Sequence, residues 1–347
     1  MEAIRRFTAD FGLPRLLITV FLLLLFAAAP LVGVNLPSSL SDVLIRVGMN
    51  GIMVLAMVPM IQSGCGLNFG LSLGVLAGLL GATISIETGM VGFKGFLIAV
   101  LVGQGFGALF GYGYGKLLNR VKGGEMMIAT YVGFSSVMAM CIAWVVLPFK
   151  SPTMIWGYGG SGLRTTISVE GFWRHILDNF LSFNIGENFK FPTGALLVFL
   201  LVALLVWVFF HLKLGTAVTA AGLNATYAKA SGININRMRI ISVMMSTMLG
   251  ALGIVVFQQS FGFIQLYDGP LYMAFPAVAA ILIGGASVNK ATLVHVLIGT
   301  LLYQGILTMT PEVFNAVLKI DMSDVIRVIV SNGMILYALT RTLKVAK

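Results

Sequence analysis

The side chains of this sequence that could do chemistry are few, and none stands in a catalytic arrangement. There is no HExxH pair for a catalytic zinc, no GxSxG elbow for a nucleophilic serine, and no Cys/His set at metal-ligand spacing. His175, His211 and His295 are scattered, and Cys65 and Cys141 sit in apolar stretches as small hydrophobes rather than halves of a disulfide framework. The glycines of GYGYGK (111–116) have the wrong spacing for a phosphate loop, and Leu117 stands where a Ser or Thr is needed; close packing of one helix on another accounts for them. What remains is a set of neutral amides in apolar surroundings: Asn50, Gln62, Asn68, Gln104, Gln258 and Gln259. Such groups suit a polar, uncharged solute passing between helices, and equally suit hydrogen bonds from one helix to the next. Gln62, Asn68, Gln104 and Gln258 are the expected lining of a solute pathway; no catalytic residue and no metal ligand is expected. Of the ionisable residues in apolar runs, Arg327 and His295 stand out, each read as structural and without a carboxylate at helical spacing.

The elements that hold these residues must be membrane helices. The chain has 347 residues, 58% hydrophobic and only 10% charged, with a mean hydropathy of +0.98. A soluble domain carries roughly 25% charged residues, so a soluble enzyme or binding module is excluded. The net charge of +10 would suit nucleic acid only if gathered on a soluble face, and no such face exists. A bilayer crossing takes about 20 apolar residues. Such runs lie at 16–34, 43–62, 66–86, 95–117, 125–148, 193–212, 238–258, 272–287, 291–309 and 323–340. The expected fold is therefore an all-α polytopic membrane protein of about ten transmembrane helices.

Charge sets the orientation. With the N-terminus inside, the inner segments collect Arg5, Arg6, Arg15, Lys116, Arg120, Lys122, Lys213, Lys229, Arg237, Arg239, Lys290, Arg341, Lys344 and Lys347, opposed only by Glu2, Asp10 and Glu125. This asymmetry is what the positive-inside rule demands, and it places both termini in the cytoplasm. The first apolar run ends in AAAP (27–30) and reads as a membrane anchor rather than a cleaved signal. The longest stretch between crossings, 149–192, falls outside. Within it GFWRHILDNFL (171–181) reads as a short helix lying in the interface, or as a docking site for an external partner.

Two crossings are interrupted. QSGCGLNFGLSLG (62–74) places glycines and amides between the second and third, and the eighth is short, carries Pro276 and ends at Gly284-Gly285. Residues 49–86 and 241–287 share the order helix, break, small-residue helix, and run in opposite directions. This predicts two inverted repeats, about 16–148 and 193–340, in a single permease domain spanning 1–347, with broken helices around a transport path.

The longest polar stretch on the inner side is AVTAAGLNATYAKASGININRMRI (217–240), helical until Ser231-Gly232 interrupt it. Its pattern G-x-N-x-x-x-A-x-x-S-G-I-x-x-x-R, carried by Gly222, Asn224, Ala228, Ser231, Gly232, Ile233 and Arg237, resembles the coupling-helix region of ABC importer permeases. The family is the one serving simple sugars, nucleosides and branched-chain amino acids. FPAVAAILIGGASVNKATLVHVLIGTLL (275–302) is similar to the ribose-type segment, and GLNFGLSLGVLAG (66–78) to the Gly-rich segment of the first half. Asn68 stands where ribose-type permeases show an Asp. GGEMMIAT (123–130) resembles the nucleoside branch, whereas IGGAS resembles the sugar branch.

The resemblance implies the permease subunit of an ATP-driven importer in a bacterial plasma membrane, moving a ribose-like sugar or a nucleoside. It implies a second permease subunit, identical or sister, and two cytosolic ATPase subunits docking on a coupling loop at 213–239. It further implies an external substrate-binding protein. No cofactor is expected in this chain, ATP being held by the partners. A stand-alone secondary carrier or facilitative channel also fits the broken helices, but the scarcity of buried carboxylates and the long polar inner loop weigh against it.

Overall fold

The structure is a computed structural model that describes residues 13–121, 123–156, 162–186 and 188–345. Arg5, Arg6, Lys122 and Lys347, assigned above to the inner side, lie outside the described residues. Among the described residues, nine helices are long and apolar enough to cross a membrane. The shorter apolar stretch Gly269–Ile283 takes the place of the predicted eighth crossing. At about 1.5 Å per residue such a stretch falls short of a hydrocarbon core of roughly 30 Å.

Helix α1 (Leu13–Ala28) ends in a 3-10 turn whose Gly33 is left-handed at φ +82°. Helix α2 (Leu36–Leu55) begins seven residues ahead of the predicted 43–62. Asn35 caps it, accepting from the Ser38 amide at 3.3 Å, and Pro37 fits its first turn. That extension puts Asp42 on a membrane helix. Helix α3 (Met57–Gln62) continues the crossing, and then Gly64 and Gly66, at φ +75° and +78°, turn the chain away. Only glycine adopts that conformation without strain. Helix α4 (Ser72–Glu87) follows, then α5 (Gly92–Arg120) and α6 (Glu125–Val146).

The second half opens with α7 (Thr193–His211), α8 (Lys213–Leu223) and α9 (Ala225–Ala230). Helix α10 (Ile235–Phe261) is followed by short α11 (Gly269–Tyr272) and α12 (Ala274–Ile283), and Gly284-Gly285 make the second break. Helix α13 (Leu293–Leu318) runs straight through Pro311 and so carries Glu312, which the predicted end at 309 left outside. Helix α14 (Ser323–Val345) closes the chain. In the turn before it the Ser323 hydroxyl bonds the Asp321 carboxyl at 2.8 Å and holds it below the usual carboxylate range.

Packing between the halves is reciprocal. Helix α10 lies along α5 and α4, while α2 lies along α13 and α12, and α2 touches α10. Small residues bring the backbones together. A Cβ added at Gly107, Gly111 or Gly115 of α5 would lie 3.1, 2.7 or 3.0 Å from the Cα of Met248, Met244 or Ile240 on α10. The GYGYGK glycines are thus helix-packing residues, though Gly113 points into open space. Gly111→Leu is expected to force α5 off α10 and cost about 1–3 kcal/mol by overpacking. Gly113→Leu should leave the thermal midpoint of the purified chain unchanged; equal losses in both would rule out this reading of the stripe.

The described residues between 147 and 192 form a strap rather than the interfacial helix expected at 171–181. β1 (Thr166–Ser168) pairs antiparallel with β4 (Phe263–Gln265), and β2 (Phe183–Ile185) with β3 (Phe189–Phe191). Residues 171–180 make turns, with His175 left-handed at φ +53°. The reason is burial: Trp173 and Leu177 point inward, and Trp173 meets Phe96 edge-on at 6.2 Å. The strap holds α10 through Gln259, whose carbonyl accepts from the His175 amide at 2.8 Å and whose side chain accepts from the Leu177 amide at 3.1 Å. It holds the first half through Glu87, which accepts from the Lys150 and Ser151 amides, and through Phe172, whose carbonyl accepts from Gly92.

Candidate functional site

Helices α2, α6, α10, α11, α12, α13 and α14 line a half-open cavity of about 1010 Å³. Asp42, Arg46 and Asn50 stand on successive turns of one face of α2 and line it, with Gln304 of α13 and Arg327 and Asn332 of α14. Phe134, Phe257, Tyr272 and Phe275 supply apolar walls. The cavity lies towards the strap end, since Ser41, beside Asp42, donates to the Lys190 carbonyl at 2.6 Å. Glu312 closes this region from α13 by accepting from the Ser39 hydroxyl. Arg327 has a carboxylate at helical spacing after all, Asp324, one turn earlier at 3.7 Å. A mostly apolar pocket with a few convergent polar groups is the usual form of a small-molecule site.

The four amides assigned to the pathway are placed elsewhere; of the amide set named from the sequence, Asn50 lines the cavity. Asn68 is buried and donates to the Ser246 hydroxyl at 2.8 Å while accepting from Tyr114 at 3.2 Å; Ser246 in turn donates to the Ala56 carbonyl. It therefore ties the first break to α5 and α10. Gln104 donates to the Met248 carbonyl at 2.9 Å, again across the α5–α10 seam. Gln62 donates to the Ala291 carbonyl at 2.5 Å, joining the first break to the chain after the second. Gln258 is 1% exposed, and its amide has no hydrogen-bond partner among the described residues.

The segment 213–237 sits directly on these breaks. Gly222 meets the Gln62 carbonyl and the Gly64 backbone so closely that a Cβ there would collide with both. Asn224 ends α8 and caps α9, accepting from the Tyr227 amide at 2.9 Å. Ala228 is fully buried with Val218, Ala221 and Met238 in a small core of its own. Ser231 follows α9, and Gly232, at φ +80°, makes the return: its amide bonds the Lys229 carbonyl, and the Ile233 amide bonds that of Ala228 at 2.9 Å. Asn234 then caps α10 through the Arg237 amide at 3.1 Å, leaving the Arg237 side chain exposed. Leu223 and Tyr227, 74% and 70% exposed, are presented outward between these buried points.

Two residues beyond Arg237, Arg239 is buried and pairs with Glu125 of α6, while its Nε donates to Cys65 in the first break at 3.1 Å. Sequence reading counted both ions only as loop charge. Their signal was that each opens a helix at the same end of the bundle.

A helical membrane protein with a solute-sized cavity, two broken helices, and a surface loop seated on the break has the make-up of a transport permease. The chain belongs to the branched-chain amino acid transport system / permease component family, whose model matches residues 39–339. It is 27% identical over 268 residues to the ribose import permease protein RbsC of Escherichia coli K12, covering 76% of this chain and 75% of that protein. It is 24% identical over 333 residues to the galactofuranose transporter permease protein YtfT of the same organism, covering 91% and 88%. A probable ABC transporter permease protein, YphD, also from E. coli K12, is 31% identical over 132 residues, 36% of this chain and 39% of that protein. No solved structure matches the chain.

Proposed function

We propose that the chain is the membrane subunit of an ATP-driven importer for a sugar, working as a pair of permease subunits in a bacterial plasma membrane with both termini cytoplasmic. Cytosolic ATPase subunits bind the 213–237 segment, and an external binding protein delivers solute at the strap end. The observation that carries this reading is the seating of Gly222 on the Gln62–Gly64 break, in a family whose named relatives include a ribose import permease and a galactofuranose transporter permease. The reciprocal packing supports two inverted repeats.

The mechanism follows from these contacts. ATPase closure moves α8–α9; Gly222 passes that movement to the first break, and Gln62 passes it on to Ala291 beyond the second. ATP binding shifts the equilibrium between inward- and outward-facing arrangements only to the extent that the closed ATPase pair fits one of them better. The exposed Leu223 and Tyr227 supply apolar anchors for a partner groove.

Pull-down of the tagged chain from native membranes, with mass spectrometry of what accompanies it, tests the class. Recovery of an ATP-binding subunit is expected, and the co-purifying binding protein should take a monosaccharide in preference to a nucleoside or leucine. A chain that came out alone and moved solute in vesicles without ATP would overturn the proposal.

A further inference from the structure

The cavity holds polar groups that the protein itself leaves unengaged. Arg46 and Asp42 stand one turn apart on α2, yet no ion pair within 4 Å joins them, and neither side chain has a hydrogen-bond partner among the described residues. Gln304 is 5% exposed, lines the cavity, and has an amide without a partner among those residues. Asn50, one turn below Arg46, turns its nitrogen to the Arg46 carbonyl at 3.0 Å. The other charges around Arg46 are Arg327 and Glu312, and Asp324 pairs with Arg327, so three carboxylates stand with two guanidiniums. Asp42 is exposed and Arg46 half-buried, so both present their charges to the open cavity, and their hydrogen-bonding capacity is free for what enters it.

We propose that Asp42, Arg46 and Gln304 are the solute-recognition set, gripping adjacent hydroxyls of a neutral monosaccharide. This rests on the sugar reading above and names its site. A vicinal diol offers both donors and acceptors a few ångströms apart. The Arg46 fork donates to two neighbouring hydroxyl oxygens, Asp42 accepts from their hydrogens, and the Gln304 amide does either. This charge set gives an anion no net attraction, and the rings of Phe257 and Phe275 cover the apolar C–H face of a pyranose or furanose.

The test is direct binding to the purified full-length chain in lipid nanodiscs, read by saturation-transfer NMR and so independent of any binding protein. The probes are D-ribose, D-galactose, 2-deoxy-D-ribose and L-leucine. Arg46→Gln and Asp42→Asn should each weaken sugar binding about tenfold or more, the scale of a lost charge-assisted hydrogen bond. Arg46→Lys should recover part of the loss. The preference for ribose over its 2-deoxy analogue should shrink in Arg46→Gln, which a merely structural role would not produce. Thermal midpoints of all variants separate misfolding from lost recognition. Unchanged sugar affinity and preference in both α2 variants would overturn this inference and leave the sugar reading standing. Absence of any binding up to roughly 50 mM, weaker than about 2 kcal/mol of affinity, would do the same. Binding of leucine but of no sugar would overturn both.

Discussion

Arg239→Ala is expected to destabilise the protein by about 3–5 kcal/mol, because it leaves Glu125 as an unpaired charge in a nearly closed site. The two side chains are only 8% and 16% exposed, with Nη2 and Oε1 2.5 Å apart. The same guanidinium bonds Cys65, so its loss removes one tie of the first break to both α10 and α6. Glu125→Gln keeps an acceptor for Arg239 and should cost less. Joint replacement, Arg239→Met with Glu125→Leu, should recover most of the loss, since an apolar pair of similar volume avoids the desolvation that the ions impose. The measurement is a double-mutant cycle on the unfolding of the purified chain, built from Arg239→Met, Glu125→Leu and the two together. Additive effects within about 0.5 kcal/mol would show that the ions act separately. Transport should fall with Arg239→Ala even at temperatures where the chain stays folded, because the pair joins the base of α10 to the break that Gly222 touches.

The second large effect is expected at the loop. Gly222→Leu should bring uptake to background, because its side chain has no room between α8 and the Gln62–Gly64 backbone. The substitution pushes the loop away from the element it would move, at a stability cost of about 1–3 kcal/mol. Gly232 makes the informative contrast. It is left-handed but has nothing within 4 Å, so Gly232→Ala adds only backbone strain of about 1–2 kcal/mol, and Gly232→Val more. Arg237→Glu reverses an exposed charge and should change stability by no more than about 0.5 kcal/mol. Its uptake and ATPase stimulation should nevertheless be lost if a partner reads that charge. Normal uptake by Gly222→Leu would sink the coupling path, and normal uptake by Arg237→Glu would remove Arg237 from the docking surface.

Much of the architecture was open to sequence reasoning, because membrane crossings depend on local composition. The apolar runs located the crossings, and glycines located both breaks: Gly64, Gly66 and Gly285 take left-handed turns, and Gly284 leaves room for the His295 carbonyl. Helix ends were less legible. A hydropathy window passes over Ser38, Ser39, Ser41 and Asp42, although Asn35 and Pro37 signal the true start of α2. It likewise stopped before Pro311, which α13 absorbs, so Asp42 and Glu312 were assigned to loops. Arg46 lies inside an apolar run, where a single cation carries no local sign of the face it takes. The cavity was out of reach for another reason. Its walls come from α2, α6 and α10 to α14, and which faces converge depends on long-range packing that no local period records. An amide in an apolar run looks the same whether it faces a solute or, like Asn68 and Gln104, a neighbouring helix.

The strap has a mechanical meaning. It is stitched to α10 by a two-stranded ladder and the Gln259 contacts, and to the first half at Glu87 and Gly92. Opening the halves there would break all of these bonds at once. For solute delivered at the strap end, as proposed, the strap is therefore a latch that must be released, and the contacts around Gln62, Asn119, Gly222 and Arg239 are the opposing latch at the loop end.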